Sequence, residues 1–77
     1  MKRRLPTAFR LDNQTYELKK RSGQVAIYGV YTAYKIGFLG FEVIQTGPLA
    51  HDKRQRFSPD REVDAWRTFQ ELVDALR

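Results

Sequence analysis

His51 is the single histidine of the chain, and Asp52 follows it. An imidazole beside a carboxylate is the beginning of a general base. Such a base also needs a nucleophile or an orienting partner within hydrogen-bond reach, and no segment nominates one. With no second histidine and no cysteine, a nitrogen or thiolate metal set cannot be completed. Asp60, Glu62 and Asp64 are carboxylates at alternate positions. On a helix they point in different directions, so they read as acids complementing a helix start rather than as ligands. Gly37-x-x-Gly40 lacks the Lys-Ser/Thr of a phosphate loop. The expectation is a protein that is not an enzyme, with no catalytic residue, no metal and no cofactor.

More chemistry resides in the cations and aromatics. The chain carries 14 Lys+Arg against 9 Asp+Glu, a formal net charge of +5. All of that excess falls in residues 1–21, where Lys2, Arg3, Arg4, Arg10, Lys19, Lys20 and Arg21 face only Asp12 and Glu17. A one-sided field of this kind suits an anionic partner. Lys53, Arg54 and Arg56 form a second basic patch, in a polar segment that reads as a loop, where binding groups often sit. Tyr31, Tyr34 and Phe38 lie in a stretch punctuated by Gly29, Gly37 and Gly40. At a surface they would be interface anchors. The volume that so small a domain needs favours the core instead.

The elements that must position these groups fit one domain of 77 residues. No apolar run approaches the ~18–20 residues of a membrane span. The basic N-terminus lacks the apolar stretch of a signal peptide. An absence of cysteine fits a reducing compartment, so the expected location is cytoplasmic. Residues 1–6 read as a flexible basic arm, 7–46 as an antiparallel sheet, 47–59 as a basic loop and 60–76 as a C-terminal helix. Alternation in Phe9-Arg10-Leu11 and Tyr16-Glu17-Leu18-Lys19 marks two half-buried strands. A tight turn at Asn13-Gln14 sets Leu11 against Tyr16, Arg10 against Glu17 and Phe9 against Leu18. A turn at Ser22-Gly23 sets Leu18 against Ile27 and Glu17 against Tyr28. In this register Phe9, Leu11, Tyr16, Leu18, Val25 and Ile27 share the buried face. Arg10, Glu17, Lys19, Arg21 and Tyr28 then share the polar one. Phe41-Glu42-Val43-Ile44-Gln45 reads as a fourth strand, stopped by Gly47-Pro48. Ser58-Pro59-Asp60 opens a helix whose stripe is Trp66, Phe69, Val73 and Leu76. A capping box at Thr68 offers a later start.

The run Tyr16-Glu17-Leu18-Lys19-Lys20-Arg21-Ser22-Gly23-Gln24-Val25-Ala26-Ile27-Tyr28, followed by Gly40-Phe41-Glu42-Val43-Ile44, resembles a group of small uncharacterised phage and mobile-element proteins. Trp66 and Leu72-Val73-Asp74-Ala75-Leu76 resemble that group's ending, with one extra residue between the Trp and the helix motif. The resemblance implies a genomic setting rather than an activity. Small phage proteins of this size include stoichiometric inhibitors of host defence, such as anti-CRISPR proteins, an analogy of setting alone.

The expected fold is α+β: an antiparallel β-meander of about four strands with one C-terminal helix on its apolar face. The expected function is a non-catalytic phage or mobile-element accessory protein. It would occupy a surface of a larger protein or ribonucleoprotein complex as an inhibitor of host defence. Its contacts would be Arg10, Lys19, Arg21, Lys53, Arg54 and Arg56, with Tyr28, Tyr31 and Tyr34 as anchors. One alternative is weakly sequence-selective nucleic-acid binding, in which Tyr28 stacks bases on the basic sheet face. Another is a homo-oligomer, the simplest case a homodimer, joined by the aromatics of residues 31–41.

Overall fold

A computed structural model describes residues 6–46 and 53–76. The expected basic arm, for all but Pro6, and His51 and Asp52 lie outside the described residues. Five strands form one antiparallel sheet in chain order: β1 (Ala8–Leu11), β2 (Gln14–Ser22), β3 (Val25–Thr32), β4 (Phe38–Gln45) and β5 (Lys53–Phe57). A single 3-10 turn (Pro59–Arg61) leads into helix α1 (Glu62–Ala75). This is the expected α+β meander with one strand more. The helix follows the proline, as the earlier of the two candidate starts requires, and it is not long and apolar enough to cross a membrane.

The first turn is Asp12-Asn13, not Asn13-Gln14, so Leu11 pairs with Gln14 and Phe9 with Tyr16. Both turn residues take left-handed φ, 53° and 61°. A two-residue hairpin turn of this twist requires it, and Asp and Asn tolerate that region better than Gln does. The second turn is Gly23-Gln24, with Gly23 at φ 58° and Ser22 opposite Val25. Each correction moves the register by two residues and so keeps every side chain on its expected face.

A bulge at Lys19 does not. The β2–β3 register shifts between Leu18 and Lys20, so Leu18 pairs with Tyr28 rather than Ile27. One inserted residue inverts the faces of everything beyond it. Tyr16 and Leu18 therefore share a face with Tyr28 and Val30, and Val25 and Ile27 lie on the other. The single inner face expected from the alternation is two. Against α1, Val25, Ile27, Phe41 and Val43 pack with Ala65, Phe69 and Val73, flanked by Phe57, Trp66 and Leu72. On the opposite face Tyr16, Ala26, Tyr28, Val30 and Ile44 cluster with Phe9 and Leu18. Residues 25–30 of β3 are buried throughout, as a central strand with both faces covered must be.

The helix stripe is Ala65, Phe69 and Val73, spaced i, i+4, i+8, with Trp66 half-buried beside it. Leu76, expected in the stripe, caps the helix end and is 49% exposed. The expected loop at 47–59 contains β5, which pairs with β4 from Phe41↔Phe57 to Gln45↔Lys53. That pairing depends on Gly40: a Cβ there would stand 2.1 Å from the Phe57 carbonyl oxygen.

Candidate interaction surface

The bulge redistributes the expected site residues. Arg10, Glu17 and Lys19 occupy the helix-side face, where among the described residues α1 packs chiefly on β3, β4 and β5 and leaves most of β1 and β2 uncovered. Arg21 and Tyr28 belong to the opposite face, so the expected cluster of five does not assemble. Tyr28 has no exposed surface. Its ring packs edgewise on Phe9 and Tyr16, and its hydroxyl donates to the Pro6 carbonyl at 2.6 Å. Burial pushes its phenol above the ordinary 10.0. A ring so enclosed cannot stack a nucleobase.

Arg54 and Arg56 are strand residues bound to a buried acid. Glu42, 5% exposed, accepts from Arg54 Nε at 2.7 Å and from Arg56 Nε at 3.0 Å. A second Arg54 nitrogen, Nη2, donates to the same Glu42 oxygen as its Nε. Arg56 Nη2 reaches further, to the Tyr16 hydroxyl at 2.9 Å and the Gln14 amide oxygen at 3.1 Å. Both guanidiniums also lie over the Tyr16 ring, 5.4 Å and 5.9 Å from its centroid. These two cations hold β5 to β4 and β2. Lys53 is exposed and makes no ion pair among the described residues.

The aromatic that joins the basic strip is Tyr31. Arg10 opposes Thr15, and Thr15 opposes Tyr31, in one row across the uncovered sheet. Lys19 Nζ donates to the Tyr31 hydroxyl at 3.2 Å, and Lys35 Nζ stands 5.3 Å from the ring centroid. Lys35 also pairs with Glu17. This lysine has φ 58°, a left-handed conformation uncommon outside Gly, Asn and Asp.

Those contacts fasten the β3–β4 hairpin loop, residues 33–37. The Thr32 hydroxyl accepts from the Ile36 and Gly37 amides, each at 3.0 Å. Lys35 N–H donates to the Thr32 carbonyl at 2.8 Å, and the Thr15 hydroxyl donates to the Ala33 carbonyl at 3.0 Å. On this pinned loop Tyr34 is 80% and Ile36 87% exposed, with Phe38 and Leu39 at 39% and 36% beside them. Phe38 packs on Tyr31 and Phe41. Tyr31 is half-buried against it, so the aromatics of this stretch divide between packing and exposure. Core packing does not describe Tyr34.

The sequence pattern singles out neither Ile36, Lys35 nor Glu42. Glu42 does break the apolar run of β4, which marks it for an opposite charge. Ile36, an aliphatic side chain next to Gly37 in a turn, is the signal for an exposed anchor. Among the described residues no group of three His, Cys, Asp or Glu side chains converges.

The Lys35 ammonium holds the Glu17 carboxyl below its ordinary 4.5. A depressed value means that the pair is intact at neutral pH and is lost only as pH falls through that value. In NMR titrations the Glu17 carboxyl should therefore have its midpoint below 4.5, and Lys35→Met should return it towards 4.5. A wild-type midpoint at 4.5 would mean that the tether is absent in solution.

Compared with known proteins, the chain matches no family model, no curated protein and no solved structure.

Proposed function

We propose that this protein is a non-catalytic binding module that docks on the surface of a larger protein assembly through its β3–β4 hairpin tip. The carrying observation is the exposure of Tyr34 and Ile36 on a loop whose backbone is held by Thr32 and whose flank is tied by Lys35 to Glu17. A loop whose backbone is pinned has lost that backbone freedom before binding, so association bears the ordering cost of the side chains alone. Tyr is among the residues that most often dominate interface energies. Arg10, Lys19 and Lys20 are exposed on the adjoining strands, which fits a partner surface that is acidic around an apolar pocket. Occupying and thereby blocking a host surface is a role consistent with the mobile-element setting that the resemblance implies, by analogy of setting alone.

Nucleic-acid binding is the second reading. It is favoured by Tyr31, which stands between Lys19 and Lys35 on the uncovered face. The docking reading is preferred because Ile36 and Leu39, both exposed, have no stacking face to offer a base.

The experiment is capture from nuclease-treated lysate with wild type and the Tyr34→Ser/Ile36→Ser variant. Loss of a hot-spot pair should weaken capture by about tenfold or more. Its thermal midpoint should stay unchanged, since both side chains are already exposed. Undiminished capture by the variant would overturn the docking reading. Naked oligonucleotides bound at ~150 mM salt, with steep salt dependence and loss on Tyr31→Ala, would establish the second.

A further inference from the structure

We propose that the open edge of β5 accepts an extended acidic segment of a protein partner as a sixth strand. β5 pairs with β4 along its whole length, and among the described residues no strand pairs with its other side. Such an edge offers a row of backbone donors and acceptors to any extended chain.

Its side chains decide which chain. Lys53, Arg54 and Arg56 place three cations in four residues, and among the described residues Glu42 is the one carboxylate that the two arginines bind. The clamp thus keeps an excess positive charge. Arg56 Nη1 makes no hydrogen bond among the described residues, and the Arg54 and Arg56 side chains are 35% and 41% exposed. Both arginines project from the face opposite α1, so an added strand with acids on that face would set carboxylates beside unused guanidinium donors.

A second copy of this chain is disfavoured by the same charges. Antiparallel pairing centred on Gln55 would set Arg54 against Arg56, and parallel in-register pairing would set each arginine against itself. Like charges directly opposite destabilise a ladder. This surface is separate from Tyr34 and Ile36, so its test stands apart from that of the hairpin tip.

The probe is an end-blocked decapeptide of alternating Glu and Val, titrated into the full chain and followed by amide NMR and hydrogen exchange. The expected result is shifts centred on residues 53–57, with slowed exchange there. A Glu–Pro decapeptide of equal charge cannot join a ladder and should bind about tenfold more weakly. Lys53→Glu, which leaves the Glu42 clamp untouched, should also weaken binding of the Glu–Val peptide. Equal affinity for the two peptides would mean charge attraction alone and would overturn strand addition. So would shifts centred on Arg10 and Lys20, or no binding at millimolar peptide.

Discussion

Tyr28→Ala should destabilise the fold by about 3–5 kcal/mol, the range for removing a buried aromatic ring. Domains of this kind are stable by only ~5–15 kcal/mol, so the variant loses a large share of the total, and a domain at the low end of that range would be partly unfolded at ambient temperature. The magnitude follows from position. Tyr28 is the largest fully buried side chain, and it centres the cluster on the face that the helix does not cover. Phe9 and Tyr16 pack against it, and Ala26, Val30 and Ile44 complete the cluster. Tyr28→Phe keeps the ring and removes only the bond to the Pro6 carbonyl, so it should cost about 1 kcal/mol. Urea denaturation of the two variants separates ring from hydroxyl. If Tyr28→Ala stays within ~0.5 kcal/mol of wild type, the side chain is at a surface and the two-faced core is wrong.

Glu42→Ala should cost about 1.5–3 kcal/mol, the worth of a hydrogen bond to a charged group. A fully buried pair broken at one partner loses more, ~3–5 kcal/mol, because the remaining charge stays in a dry environment. Here the remaining charges can reach water: the Arg54 and Arg56 side chains are 35% and 41% exposed. The lower range therefore applies. Removing both sides at once, with Glu42→Leu, Arg54→Met and Arg56→Met, should recover much of the loss, since apolar replacement of an ion cluster leaves nothing unpaired. Denaturant midpoints measure both variants. A neutral Glu42→Ala would mean that the carboxylate contributes nothing to holding β5 against β4.

These two residues also mark how far the sequence is legible. Turn dipeptides and alternating residues are local signals, so the meander, its order and the C-terminal helix can be read directly. Which residues share a face cannot, because the bulge at Lys19 inverts the phase and no residue type announces it. That phase inversion is why alternation alone puts Tyr28 on a polar face. β3 compounds the difficulty: it is apolar on both sides, so its alternation has no polar phase to contradict a wrong register. β5 is invisible to local pattern. Lys-Arg-Gln-Arg-Phe carries a single apolar residue, and it is a strand because Glu42, twelve and fourteen positions earlier, gives Arg54 and Arg56 their partner. At the hairpin tip Tyr34 is legible as an aromatic in a Gly-punctuated stretch. Its exposure depends on Thr32, Lys35 and Glu17 meeting across strands, which composition does not encode.

The most direct test of docking through the hairpin tip is site-specific photo-crosslinking in cells that express the full chain. A benzoyl-phenylalanine at position 34 should give one discrete protein adduct. The same group at position 71, where Glu71 is exposed on α1, should give none. Adducts to nucleic acid from position 34, or an identical protein adduct from both positions, would contradict a protein partner seated on Tyr34 and Ile36.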